Sequence, residues 1–165
     1  MKYIFLAPWK IQKSSLLFSY IEEFSNRLSK ITPCEFIAPS AALDEKKTVE
    51  FYVKEIKKIP GEKPLCFALD ENGKTFTSQQ FAKILELQEI NGEKIVLFCF
   101  GGAYGLPKEI IPLLNIKLIS LSSLTFAHEL AFAVALEQVY RARCIMTNHP
   151  YHHGDKSPLA REFNF

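Results

Sequence analysis

The sequence predicts an α/β domain in which a parallel β-sheet carries helices on both faces. Apolar strand-like runs alternate with helix-like segments five times along the 165 residues, and the connections between them are short. One run, Ile-Val-Leu-Phe-Cys-Phe over residues 95–100, is apolar without interruption. That pattern suits a strand covered on both sides, as in a parallel sheet, rather than one with a wet face.

Each element has its own local justification. A strand is expected over 3–7, then an amphipathic helix over 14–29 with Leu17, Ile21, Phe24 and Leu28 at three- and four-residue steps. The second strand is expected over 34–38. A charged helix follows over 41–58, closed by the cations Lys57 and Lys58 and the breakers Pro60 and Gly61. The third strand, 65–69, ends in the polar turn Asp70-Glu71-Asn72-Gly73-Lys74. Thr77 or Ser78 caps a helix running to about residue 89, and Asn91-Gly92 is a turn. After the fourth strand, 95–100, a short helix over 107–114 opens with Pro107 at a tolerated first-turn position. A fifth strand over 116–120 and a long helix over 126–146 complete the series.

The length suits one domain, which at this size buries roughly 70% of its unfolded surface. Residues 1–153 form that domain, and 154–165 read as a C-terminal extension, polar and containing Pro158. Hydrophobic residues at 48% and charged residues at 23% exclude disorder and coiled coil as descriptions of the whole chain. A net charge of +2 does not announce a nucleic-acid binder, although local patches rather than totals steer polyanions. Cys34, Cys66, Cys99 and Cys144 lack the spacing of a zinc knuckle or redox pair, and Cys66 and Cys99 read as small buried hydrophobes. The apolar run at the N-terminus stops at Pro8, shorter than a signal-peptide core, and no stretch has membrane-spanning length. The expectation is a reduced, cytoplasmic protein.

Ligands of open α/β sheets sit outside the carboxyl ends of the strands. That rule selects the turns after Leu69, Phe100 and Ser120. Gly101, Gly102 and Gly105 in the second turn let backbone approach a ligand closely, or simply make a tight turn before a helix. A P-loop would end in Gly-Lys-Ser/Thr, and a dinucleotide fingerprint would space its glycines as GxGxxG; neither fits. The last helix is apolar nearly all round, with Phe126, Leu130 and Val134 on one side and Phe132, Leu136 and Val139 on another. It is either central to the domain or the interface of a homodimer. His149, His152 and His153 have no accompanying cysteine or carboxylate cluster, so no metal is expected. His128 either caps or packs at the start of the last helix, or takes part in catalysis.

Four ordered motifs, Gly101-Gly-Ala-Tyr-Gly-Leu106, Leu121-Ser-Ser-Leu-Thr-Phe-Ala-His-Glu-Leu130, Glu137-Gln-Val-Tyr-Arg-Ala142 and Asn148-His-Pro-Tyr-His-His153, resemble those of the RlmH family of SPOUT-type methyltransferases. The resemblance extends over 1–153 in length and element order. It implies an α/β-knot fold with a C-terminal trefoil knot, a homodimer, and methylation by S-adenosylmethionine of N3 of a pseudouridine in 23S ribosomal RNA. It also implies a cofactor site at Leu69, Gly101, Gly102, Gly105, Leu121, Ser122, Ser123, Leu124, Thr125 and Phe126. Candidates for handling the N3 proton are Tyr151, His152 and His153, presented by a partner subunit, with His128 a further candidate. Arg141 and Arg143 are candidates for RNA phosphate, or for favourable placement at a helix C-terminus.

The chain departs from the family pattern at several positions. Ala127 stands where proline is usual, Phe132 where arginine is usual, and Pro8-Trp9 replaces a small glycine-containing turn. His153 replaces a basic residue, and the extension beyond it is unusual. An active methyltransferase and a divergent paralogue that binds ribosome or RNA without methyl transfer both stay open at this level.

Overall fold

The strands β1 (Lys2–Leu6), β2 (Cys34–Ile37), β3 (Leu65–Thr75), β4 (Ile95–Cys99) and β5 (Lys117–Ser120) pair in parallel throughout, in the order β2-β1-β4-β3-β5. The helices are α1 (Phe18–Ile31), α2 (Glu45–Lys57), α3 (Ser78–Ile90), α4 (Ile110–Leu113) and α5 (His128–Met146). This computed structural model describes residues 1–41, 43–59, 64–102 and 105–152. His153 and the extension 154–165 lie outside the described residues.

Alternation along the strands builds two separate cores. Tyr3 and Phe5 of β1, Phe67 of β3 and Val96 and Phe98 of β4 point to a layer in which α5 packs against both α1 and α3. Their neighbours Ile4, Leu6, Cys66, Leu97 and Cys99 point the other way, toward Tyr52 of α2 and Ile110 of α4. The uninterrupted apolar run of β4 follows from burial on both sides.

Register aligns a row of aromatic rings across the sheet. Phe36 lies opposite Phe5, Phe5 opposite Phe98, and Phe98 opposite Phe67. Their centroids are 5.0, 5.4 and 5.7 Å apart, with near-parallel planes. Phe132 of α5 sets its ring edge against Phe5 at 6.0 Å and packs on Phe100 at 4.7 Å. Pairs of this kind stabilise by about 0.5–1.5 kcal/mol each beyond the area they bury.

Several boundaries differ from the sequence reading for identifiable reasons. The first helix starts at Phe18 rather than residue 14, because the Ser15 hydroxyl accepts the Leu17 N–H at 3.2 Å in a preceding turn. The turn at 70–74 is an insertion inside β3: pairing with β5 breaks after Leu69 and resumes at Lys74, both opposite Ile119. Gly73 permits this, since a Cβ there would stand 2.5 Å from the Ile119 carbonyl carbon. The fourth helix shrinks to 110–113, with Pro107 in the turn ahead of it, where its carbonyl accepts the Ile110 N–H. Thr77 caps α3 through a capping box with Gln80, as the sequence suggests.

The buried side of α5 is wide and includes Phe132, Leu136 and Val139 at 4, 0 and 0% exposure. Its second apolar side faces outward, where Leu130 is 39% exposed and Val134 half-buried. No described helix is long and apolar enough to cross a membrane. Phe132→Ala is expected to cost about 3–5 kcal/mol in urea unfolding, the range for deleting a buried aromatic. A loss under about 1 kcal/mol would mean that α5 is not seated through this ring.

Candidate functional site

Three strand ends and one helix start converge on a cavity of about 480 Å³. Leu69, Asp70 and Glu71 come from β3, Phe100, Gly101, Gly102, Gly105 and Leu106 from the segment after β4, and Ser120 to Ser122 and Leu124 to Phe126 from β5 and the loop after it. Ala127, His128 and Ala131 at the start of α5 close the remaining side. The volume falls within the range of small-molecule and cofactor sites.

The walls are held by short, local bonds. Gly102 and Gly105 exchange backbone hydrogen bonds at 3.0 and 3.1 Å, which folds the glycine segment back on itself. Gly101 sits so close to Gly105 that a Cβ would lie 2.6 Å from its carbonyl carbon, whereas a Cβ on Gly102 would meet only Pro8, at 3.7 Å. Gly105 has φ of 80°, the left-handed region that favours glycine. In the other loop, Ser120 Oγ donates to the Ser122 carbonyl at 2.7 Å and Ser122 Oγ accepts the Leu124 N–H at 3.0 Å. Thr125 Oγ1 donates to Glu71, joining the loops after β3 and β5 across the cavity. Beneath the floor, the Tyr52 hydroxyl donates to the Phe100 carbonyl and lies 3.4 Å from that of Leu6, so α2 pins the ends of β4 and β1.

Nine of the ten expected cofactor residues line this one cavity; Ser123 is in the same loop, exposed and outside the lining. Asp70, Glu71, Phe100, Leu106, Ser120, Ala127 and Ala131 join them; Leu106 and Ala127 lie within the motifs, but none of the seven was expected at the cofactor. Their signal was positional, since each adjoins a strand end or the start of α5. His128 is on the cavity wall, its ring 4.6 Å from that of Trp9. Trp9 also meets Phe132, 5.7 Å away and edge-on. Trp9 and Phe132, two positions where the sequence reading expects a departure from the family pattern, therefore touch.

The remaining candidates gather at the opposite end of α5. The Tyr151 hydroxyl donates to Glu137 Oε1 at 2.8 Å, and its ring packs on Tyr140 and Phe24. Arg141 donates to the same carboxylate, its Nε at 3.0 Å, and lies over the Tyr151 ring at 4.8 Å. His152 Nδ1 is 3.5 Å from Arg141 Nη1, and its Nε2 is buried with no partner among the described residues. Burial, reinforced by the bond to Glu137, pushes the Tyr151 phenol well above its ordinary pKa. With that bond in place it is a donor, not a base. Arg143, the other phosphate candidate, is ion-paired to Glu89 at 2.6 Å, and Glu89 also accepts from the Met1 amino group.

Burial pushes the Cys66 thiol up to about 11 and Cys99 well above the ordinary thiol value, consistent with packing roles. All four cysteines are free. Among the described residues no group of three or more His, Cys, Asp or Glu side chains is arranged to hold a metal ion.

Comparison with known proteins bears on this geometry. A family model described as "Predicted SPOUT methyltransferase" matches residues 1–152. A Campylobacter jejuni protein named ribosomal RNA large subunit methyltransferase H is 38% identical over 149 residues, covering 86% of this chain and 95% of the relative. A Parabacteroides distasonis protein of the same name is 37% identical over 142 residues, covering 81% and 87%. A Campylobacter lari relative, also so named, is 47% identical over 93 residues, 56% of this chain and 58% of its own length. Among solved structures, one concerned with 2-OH methylation of C/U34 on tRNA shares the fold at TM-score 0.51 and 15% identity, over 89% of this chain and 97% of that one.

Gly101→Ala is expected to lower the melting temperature and disrupt ligand binding, because its Cβ meets backbone; Gly102→Ala should fold with unchanged melting temperature. Equal melting temperatures for both would contradict the loop geometry. A second expectation concerns pH. Burial alone would raise the Glu89 carboxyl, but the bonds from Arg143 and the Met1 amino group outweigh it and hold the pKa below the ordinary value. Such a group contributes stability above its unfolded pKa and loses it as pH falls through the folded value. The gap in urea midpoint between wild type and Glu89→Gln should thus be widest near neutrality and close below about pH 4.

Proposed function

The chain belongs to the SPOUT methyltransferase family, and from that membership we propose that it methylates N3 of a pseudouridine in 23S ribosomal RNA, with S-adenosylmethionine as methyl donor. The observation that carries this reading is the single cavity in which the glycine segment after β4 meets the loop after β5. The relatives named ribosomal RNA large subunit methyltransferase H support the choice of RNA as substrate.

The residues present fit the donor. The cofactor supplies a methyl group already made electrophilic by its sulfonium sulfur, so alignment and exclusion of water are the protein's main tasks. Gly101, Gly102 and Gly105 give close approach of backbone, and apolar Leu69, Leu121 and Phe126 surround an uncharged body. Asp70 and Glu71 put carboxylates at the cavity wall, where they complement the positive charge of a sulfonium or ammonium group.

The arrangement of α5 supports a homodimer. The helix has 19 residues, roughly 28 Å at 1.5 Å per residue, with the cavity at its start and Tyr151 and His152 beyond its end. Within one subunit the two groups cannot meet. An antiparallel pairing of two copies through the outward strip of Leu130, Val134, Gln138 and Arg141 brings the tail of each to the cavity of the other. In that arrangement the N3 proton passes to an acceptor from the partner's tail, and His152, whose Nε2 has no hydrogen-bond partner among the described residues, suits the role better than Tyr151, whose hydroxyl is bonded to Glu137. Arg141 and Arg143 are the candidates for RNA phosphate, each also holding a carboxylate of its own chain. The site of action is the cytoplasm, with the large subunit or assembled ribosome as substrate.

Calorimetry with S-adenosylmethionine and mass mapping of ribosomal RNA, with and without the protein, test the reading directly. Saturable binding and one added methyl on a pseudouridine are expected. No saturable binding would overturn the enzyme assignment, and binding without methylation would favour the RNA-binding paralogue. Truncation after Pro150 should leave the cofactor affinity unchanged and reduce methylation at least about a hundredfold, the lower range for losing a general acid or base. Methylation at the full rate would remove the tail from the chemistry.

A further inference from the structure

Trp9 lies outside the cavity lining, yet it touches two of the elements that form the wall. Its indole Nε1–H donates to the Gly101 carbonyl at 2.8 Å, and its ring lies 4.6 Å from that of His128. Its other side is set edge-on against Phe132 at 5.7 Å, and the residue is 9% exposed. Pro8 is within van der Waals reach of a Cβ built on Gly102. The Gly101 carbonyl follows the Phe100 carbonyl held by Tyr52 and precedes the paired Gly102 and Gly105. His128 begins α5, whose N-cap Ala127 supplies no side-chain bond. Trp9 thus adds to each part of the wall a contact beyond its own local bonds.

We propose that Trp9 is a positioning residue of the cofactor cavity: one indole fixes the glycine segment through its N–H and the His128 ring through tilted ring packing, and so sets the spacing between the two walls. This rests on the reading of the cavity as the S-adenosylmethionine site. The indole is anchored from behind by Phe132, so its placement is inherited from the sheet. Trp9 acts on the cofactor only through Gly101 and His128.

The chain has a single tryptophan, so emission excited at the red edge, where its six tyrosines do not absorb, reports this position alone. Titrating the wild-type protein with S-adenosylmethionine is expected to change the Trp9 emission with the same midpoint that calorimetry gives. Trp9→Phe keeps a ring against Phe132 and deletes the N–H; it is expected to weaken cofactor binding about fivefold, the scale of one lost hydrogen bond. In turnover it should raise the KM for S-adenosylmethionine and leave the KM for ribosomes unchanged. A purely structural tryptophan would lower the melting temperature and the active fraction without moving KM. Unaltered emission at saturating cofactor, or wild-type affinity in Trp9→Phe, overturns the proposal. The emission experiment stands even if Trp9→Phe does not fold. Wild-type protein that shows no calorimetric binding overturns the cofactor reading itself, and the proposal with it.

Discussion

The rest of the structure depends on one row of rings. Phe36, Phe5, Phe98 and Phe67 lie side by side across four parallel strands, and Phe132 of α5 is set upon them. A flat apolar floor of this kind does not dictate where a helix sits along it, and an inserted ring does. With Phe132 fixed, the start of α5 falls beside the ends of β4 and β5, and a cavity opens between them. The same ring backs Trp9, whose indole holds the first carbonyl of the glycine segment. Packing in the core and geometry at the cavity are therefore consequences of one contact.

The fold was largely legible because its signals are local and periodic. The continuous apolar runs of β1 and β4 mark strands covered on both faces, and the three- and four-residue steps of Ile21, Phe24 and Leu28 identify the inward face of α1. Boundaries were less legible where backbone geometry decided them. Nothing in Asp70-Glu71-Asn72-Gly73 says that a strand resumes at Lys74; that depends on a neighbouring strand close enough to exclude any side chain at Gly73. The lateral order of the strands is likewise nonlocal, since β1 is placed between β2 and β4 by packing rather than by anything in its own five residues.

The candidate site was legible as positions and not as a mechanism. Strand ends and glycines pointed to Leu69 and Gly101, and the motifs supplied the loop after β5. The carboxylates of Asp70 and Glu71 and the indole behind the wall carried no pattern, because their relevance comes from the fold that brings distant segments together. For the tail, sequence gave residue types and the structure gave distance. Tyr151 and His152 are at the wrong end of α5 to serve their own cavity, and Tyr151 has its proton engaged by Glu137. That separation is the physical basis of the proposed homodimer, in which each tail would serve the other copy's cavity.

The pairing of β1 with β4 has a consequence for how the protein is made. Lys2 lies opposite Ile95 and Leu6 opposite Cys99, so the central pair of the sheet joins segments translated far apart in time. At roughly 5–20 residues per second, β4 is completed about 5–20 seconds after β1. During that interval β1 can find β2 but not its other neighbour, and Tyr52 has no Phe100 carbonyl to bond. Until then the edge of β1 that β4 will cover keeps its backbone N–H and C=O groups unpaired by any strand, so the sheet cannot close during the synthesis of residues 7–94.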